Sequence, residues 1–472
     1  MLTTIGRRIA WIAALALLLA GCTVAPDLSK PEGRRKAATD LVERLGEKRD
    51  RAPHDNPKAS EIERSFIEAY ALAETPRERD VALVKLVDQF SDGHARVDPP
   101  KGSPPLHAPS CSLGQFDGRI WIEFSGRSVN DGLPPEGRKG RYCVELLAID
   151  GYAPKGLSAA RALLASDTQA PVTLECRMIQ SGAIRTIALE RDGDWRRSVR
   201  PEGVAEPPPP PDAEFVFRHP RFPDAMYAAV LSESPKVGLV RLPWMSPPGA
   251  GFAGSEIGQE EIDCVVFHKP CADLTAMLDC IRAVADCEWI VIDLRGSGGG
   301  ICAHAGAVCA AILPTRIEKM PFRHLDMPLI LDLLGNGSWE WKRSPLVRED
   351  ARFAVLIDGG CASASEHIAG VLRALPSTLF VGSRTAGSEY SLATNRLPDG
   401  TTVRFGGNPG LWDGLDLVEG RGVAPSVPVA FDLEVLRRKG IEACVRDHRA
   451  RTLDAALAAI REAAAEPASA AH

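Results

Sequence analysis

Two short segments, about sixty residues apart, carry the residue types that acyl transfer needs. The first is Asp293-Leu294-Arg295-Gly296-Ser297-Gly298-Gly299-Gly300, directly after the apolar run Trp289-Ile290-Val291-Ile292. The second is Cys361-Ala362-Ser363-Ala364-Ser365-Glu366, after Phe353-Ala354-Val355-Leu356-Ile357-Asp358. Each reads as a buried strand ending in a small-residue turn that opens a helix. Gly and Ala place no bulk between backbone N–H groups and a ligand. One turn offers a serine hydroxyl and the other a run of bare amides, which together are a nucleophile and an oxyanion hole. Ser363-Ala364-Ser365-Glu366 also fits a capping box, with Ser363 capping a helix and Glu366 reaching back. The strand before it, the Gly359-Gly360 turn and the partner segment at Asp293 favour the nucleophile.

In this order the two segments resemble the C-terminal-processing (tail-specific) serine proteases and their tricorn-core relatives. There an Asp-Leu-Arg-x-x-Gly-Gly-Gly turn precedes a Ser-Ala-Ser-Glu nucleophile turn. The resemblance covers the chain from about Val237 to Val429. It implies Ser363 as nucleophile, with the Ala364 amide and one from Gly298 or Gly299 as oxyanion donors. The tail-specific branch takes its base from a lysine in a Phe-Gly-Lys-Gly-like segment. Here that stretch is Thr385-Ala386-Gly387-Ser388-Glu389, with Ser388 at the lysine position, and no lysine occurs between Ser363 and Lys439. The tricorn-like branch uses a histidine, and Asp92-Gly93-His94-Ala95-Arg96-Val97 fits its pattern. His94 is therefore the expected general base. A glutamate of that branch corresponds to Glu419 in Glu419-Gly420-Arg421-Gly422-Val423-Ala424-Pro425. It would orient the relay and stabilise positive charge on it. In tricorn a serine precedes the histidine, and Gly93 holds that position here. The relay would then run through water, through another hydroxyl, or directly from His94 to Glu419. His367 and Ser365 read as structural. Asp293 and Arg295 read as holding the glycine turn, with Arg295 also a candidate contact for a substrate carboxylate.

The elements that must position these groups follow from periodicity. Ile62, Phe66, Ala69 and Tyr70, then Leu83, Leu86, Val87 and Phe90, recur at helical spacing and predict a helical unit over 23–98. Asp98 to Ser110 is Pro-rich and reads as a loop. Residues 111–192 read as a small β-rich module. Within it Leu147-Ala148-Ile149-Asp150-Gly151, a following helix and the Val172 strand resemble the second half of a PDZ domain. Leu113-Gly114-Gln115-Phe116 is its candidate carboxylate-binding loop, and such a module would take a peptide tail as an added strand on an open sheet edge. Residues 199–213 are a Pro-rich linker, stiff through Pro207 to Pro211. From 214 to 445 strand and helix signals alternate, which predicts a sheet covered by helices, the α/β, crotonase/ClpP-like core that the resemblance implies. Residues 315–350 read as an excursion, and 446–472 as a C-terminal helix and tail.

The chain opens with Arg7 and Arg8, an apolar stretch, and Leu19-Ala20-Gly21-Cys22. This resembles a lipoprotein signal peptide ending at a lipidated cysteine. Cleavage before Cys22 would leave 472 − 21 = 451 residues, enough for two or three domains. Thr23 rather than Asp after the cysteine points, by analogy with enteric bacteria, to the outer membrane. A net charge of −6, with no run of Lys/Arg interleaved with aromatics, argues against a nucleic-acid surface. Eleven cysteines remain beyond Cys22, so at least one lacks an intramolecular partner. An oxidising compartment allows disulfides, but no C-x-x-C pair suggests zinc. The expectation is a lipid-anchored envelope serine endopeptidase acting on proteins or peptides without metal or organic cofactor. Its rival is a non-catalytic peptide- or ligand-binding envelope lipoprotein on the same fold.

Overall fold

The structure is a computed structural model. It describes residues 25–49, 59–89, 95–100, 102–103, 106–131, 140–194, 199–201, 210, 213–245, 272–312, 346–373, 375, 377–389, 391–408 and 418–465. Cys22 and the leader, Asp92, Gly93 and His94, Cys264, Cys271, most of the proline run and most of 315–350 lie outside the described residues. Among the described residues no helix is long and apolar enough to cross a membrane.

Three helices come first: α1 (Pro31–Arg49), α2 (Ala59–Leu72) and α3 (Pro76–Asp88). Helix α3 starts at a true capping box, in which Thr75 accepts from the Glu78 amide and Glu78 accepts from the Thr75 amide. The strand β1 (Arg96–Asp98) follows, so the helical region does not run on to residue 98. The β-rich unit comprises β2 (His107–Ala108), β3 (Cys111–Phe116), β4 (Arg119–Ser125), β5 (Val129–Asp131), β6 (Arg141–Ile149), helix α4 (Leu157–Leu164), β7 (Val172–Met178), β8 (Ile184–Leu189), β9 (Gly193–Asp194) and β10 (Val199–Pro201). Its main sheet has the order β10-β3-β4-β6-β7-β8-β5. The apolar face of α4 (Ala159, Ala160, Leu163, Leu164) packs on Leu113, Ile122, Leu146 and Leu174. Two expectations fail here. Leu113-Gly114-Gln115-Phe116 is a paired strand, not a loop, because it alternates inward and outward against β4. Residues 199–201, assigned to the linker, form a strand parallel to β3 and cover that sheet edge.

The remaining strands are β11 (Glu214–Arg218), β12 (Tyr227–Glu233), β13 (Lys236–Arg241), β14 (Trp289–Asp293), β15 (Arg352–Ile357), β16 (Leu379–Gly382), β17 (Ser391–Arg396), β18 (Thr402–Asn408) and β19 (Val427–Pro428). The helices among them are α5 (Ala272–Ala283), α6 (Cys302–Ile312), α7 (Ala364–Arg373), α8 (Leu433–Lys439) and α9 (Ile441–Ala465). The second large sheet runs β11-β12-β13-β14-β15-β16-β19 and is parallel from β13 onward. Both faces are covered, which is why its strands are continuously apolar. Ile290, Ile292, Val355 and Ile357 point to α5, α6 and α7, whereas Val291, Ala354 and Leu356 pack with Ala456 and Ile460 of α9. The hairpin β17–β18 pairs with β1 and packs Leu397, Val403 and Phe405 against the N-terminal helices. Helix α9 begins at Ile441, inside the range assigned to the core, and continues to Ala465. The eight described cysteines with placed side chains are free thiols, and seven of them are buried.

The β-rich unit meets α9 through one buried carboxylate. Glu123 of β4 accepts from the Ile441 amide at 2.9 Å and pairs with Arg141 at 2.7 Å. It caps the start of α9 from a distant strand. Glu123→Ala leaves a buried helix-terminal donor unpaired and is expected to cost about 1–3 kcal/mol. A lower urea midpoint for the variant is the check.

Candidate active site

Strands β14 and β15 are neighbours in parallel register, with Asp293 opposite Leu356, so the two turns leave the sheet side by side. The carboxyl ends of parallel strands are where such sheets place their sites. The first turn has positive φ at Gly296 (70°), Gly299 (89°) and Gly300 (145°). In the second, Ser363 itself has φ 54°, a left-handed conformation that a side chain enters only under constraint. It is held there: its amide donates to the Ser388 carbonyl at 2.9 Å, and its carbonyl accepts from the Glu366 amide at 2.8 Å.

One carboxylate oxygen clamps the turns together. Asp358 Oδ1 accepts from the Gly296 amide at 2.7 Å and from the Gly360 amide at 2.9 Å. The glycines are touching, since a Cβ on Gly360 would stand 2.8 Å from the Gly296 Cα. The Ala362 amide donates to the Ser297 carbonyl at 3.0 Å, and the buried hydroxyls of Ser297 and Ser365 are 2.6 Å apart. Gly299 lies on the serine turn: a Cβ there would be 2.7 Å from the Ser363 Cβ and 2.9 Å from the Ala364 nitrogen. A Cβ on Gly298 would meet nothing within 4 Å. The amide of Ala364 is the first of α7, so the positive end of that helix faces the same place. A half-buried serine hydroxyl, an open glycine edge and a helix N-terminus therefore converge.

Charges beneath the turns are paired. Burial raises the Asp293 carboxyl, but Arg295 and Arg241 outweigh it and hold it at about 2. Arg295 is 3% exposed, with its guanidinium on Asp293 and the Arg449 carbonyl. It therefore does not reach a substrate carboxylate, contrary to one expectation above. Arg449 of α9 donates to Asp358 Oδ2 at 2.8 Å, and both side chains are buried. Burial raises the Asp358 carboxyl, but Arg449 and the two glycine amides lower it overall.

The segment Thr385–Glu389 runs along the other side of Ser363. Glu366 does not reach back to cap its own helix, so the capping-box reading fails. It crosses to this segment, accepting from the Thr385 hydroxyl at 2.5 Å and from the amides of Gly387 at 2.8 Å and Ser388 at 2.6 Å. These donors favour the ionised form, yet burial outweighs them and pushes the carboxyl up to about 7. Glu419, 8% exposed, accepts from the Glu389 amide at 2.6 Å, while the Glu389 carboxylate accepts from the Val418 amide at 2.9 Å. Glu419 thus stands behind the segment that holds Ser363. His367 places Nε2 3.2 Å from the Glu389 carbonyl, as a packing contact. His94 lies outside the described residues. Its neighbour Ala95 is buried and lines a cleft of about 860 Å³ together with Ala362 and Ser388. Ser363 itself is not in that lining, so the cleft adjoins the serine turn.

Sequence reasoning missed Asp358, Thr385 and Arg449. Asp358-Gly359-Gly360 was a visible turn signal, whereas Arg449 sits in an ordinary polar helix and gave none.

A strand-turn-helix serine beside a glycine-rich amide turn, at the carboxyl ends of two central strands of a parallel sheet, defines a serine-type peptidase core. Residues 236–429 match peptidase family S41. No curated protein sequence matches the chain. Among solved structures, mature CPAF is similar at TM-score 0.52 and 16% identity, covering 90% of this chain and 98% of that one. Mature CPAF complexed with lactacystin gives TM-score 0.50 and 16% identity, covering 90% and 99%. The photosystem II D1 C-terminal processing protease, at 18% identity over 88% and 99%, reaches only 0.39 and adds nothing to the fold argument.

Two predictions follow from the clamp and from Glu366. Arg449→Met leaves Asp358 buried and unneutralised; the expected loss is about 3–5 kcal/mol, read as a fall in thermal midpoint, with Arg449→Lys losing less. Glu366 is protonated in both folded and unfolded states below about pH 4.5. Between that and about pH 7 the unfolded chain releases the proton and the folded one keeps it, so stability falls as pH rises. Relative to Glu366→Gln, wild type should lose on the order of 2–4 kcal/mol across this window. Parallel denaturation curves for the two proteins from pH 4.5 to 8 would contradict it.

Proposed function

We propose that the protein is a serine endopeptidase of the bacterial cell envelope, cutting proteins or peptides through an acyl-enzyme on Ser363. The observation that carries this is the left-handed Ser363, held between the Ser388 carbonyl and the Gly299 backbone at the start of α7. In the first step Ser363 Oγ bonds to the scissile carbonyl carbon and His94 takes its proton. The oxyanion is met by the amides of Ala364 and of Gly298 or Gly299. The C–N bond then breaks, and His94 returns the proton to the leaving amine. Water, deprotonated by His94, releases the acyl group and restores the serine. Glu419 stabilises the imidazolium, directly or through a bridging hydroxyl or water, because Gly93 supplies none. Anchoring through a lipid on Cys22, at the periplasmic side of the outer membrane, completes the reading.

A second reading rests on the position where the tail-specific branch has its lysine. Ser388 is there, buried at 4% exposure, with its amide on Glu366. A binding protein on this fold would hold peptides without turnover. The two readings separate on protein lacking residues 1–22, incubated with a defined peptide mixture and followed by mass spectrometry. Products are expected from wild type and none from Ser363→Ala, and His94→Ala should be about 10²–10⁴-fold slower. Peptide binding without Ser363-dependent products would establish the second reading.

A further inference from the structure

Resting on the peptidase reading, we infer that the cleft beside Ser363 selects peptide segments with acidic side chains close to the scissile bond. Three units build this cleft: the serine turn with the 383–388 and 420–421 segments, the end of α3 with β1, and the β-rich unit at the β3–β4 turn and the start of α4. Its charged lining is Arg96, Lys155, Arg384 and Arg421 against Asp88 and Asp117.

The two carboxylates do not cancel the four cations. Asp88 is buried and already occupied, accepting from the Lys155 amide at 2.9 Å, the Gly156 amide at 3.2 Å and the Tyr152 hydroxyl at 3.0 Å. Asp117 sits on the rim at the β3–β4 turn, exposed. Arg96 shares Asp98 with Arg404. Arg384 is exposed but fixed, donating to the carbonyls of Arg421 at 3.0 Å and Gly422 at 3.3 Å. Among the described residues neither Arg384 nor Lys155 forms an ion pair. Both cations therefore line the cleft, Arg384 on the segment beside the serine turn and Lys155 at the start of α4, where its charge also acts on the buried Asp88.

Position ties that charge to the chemistry. Arg384 is four residues before Ser388, whose carbonyl holds the Ser363 amide. Four residues of extended chain span at most about 14 Å, so a peptide running from Ser363 into the cleft meets Arg384 within a few side chains. The alternative docking route, strand addition at β3, is taken by β10 of the chain itself. Low-dielectric walls focus the field of such a cleft on its occupant.

The test uses fluorescein-labelled peptides with Glu at alternate positions and otherwise identical Gln peptides. Binding to the full-length Ser363→Ala protein is followed by anisotropy, and cleavage by wild type as kcat/KM. The acidic peptide should bind about tenfold tighter at low salt, with the gap closing at high salt. In Arg384→Glu/Lys155→Glu the ratio of acidic to neutral affinity should fall to one or invert. Arg384→Gln alone should reduce it and guards against misfolding of the double variant. Equal binding of both peptides, or a preference that survives the double reversal, overturns the inference. Turnover without charge preference rejects the inference and leaves the peptidase standing, whereas a charge preference in binding with no turnover rejects the peptidase and leaves the cleft.

Discussion

The whole site hangs on one oxygen. Asp358 Oδ1 takes the amides of Gly296 and Gly360 at once, and so fixes the distance between the turn with the bare amides and the turn with the serine. Neither glycine tolerates a side chain: a Cβ on Gly360 would meet the Gly296 backbone, and one on Gly296, at positive φ, would meet the Arg449 guanidinium. A buried carboxylate is costly unless it is neutralised. Arg449 does this from α9, and its backbone carbonyl takes Arg295, which in turn neutralises Asp293 at the end of β14. The C-terminal helix is thus part of the site, although none of its residues lines the cleft.

A second carboxylate holds the other flank. Glu366 has three donors from one segment, Thr385 to Ser388, and Ser388 in turn accepts the Ser363 amide. The strain of a left-handed serine, on the order of 1–3 kcal/mol, is offset by this bonding on both sides. Glu419 then anchors the far end of the segment through the Glu389 amide. Peptide-bond chemistry on Ser363 would draw on groups already rigid before a substrate arrives.

Much of this was legible because it is local. Apolar strands ending in Gly296–Gly300 and in Gly359–Gly360 announce two strand-turn-helix units, and the alternation along the chain announces a covered parallel sheet. Placing Glu419 near Ser363 needed the resemblance, since nothing local links them. The capping-box pattern at Ser363 to Glu366 forms no box in the structure, whereas Thr75 and Glu78, which the sequence analysis did not single out, form one. The difference is tertiary: Glu78 is on the surface with only its own helix to cap, whereas Glu366 is buried against an unsatisfied loop. Asp358 with Arg449, and Glu123 with Ile441, join positions 91 and 318 residues apart, and no periodicity encodes such pairs. The strand at 199–201 was hidden for a similar reason, because its only strand partner among the described residues is β3.

The central claim is that Ser363 is a nucleophile made reactive by this frame. Labelling with a fluorophosphonate, followed by mass mapping of the adduct, tests it directly. The account predicts a single adduct on the peptide containing Ser363, and its loss in Arg449→Met as well as in Ser363→Ala. Labelling that falls elsewhere, or is absent from the folded wild-type protein, would contradict it.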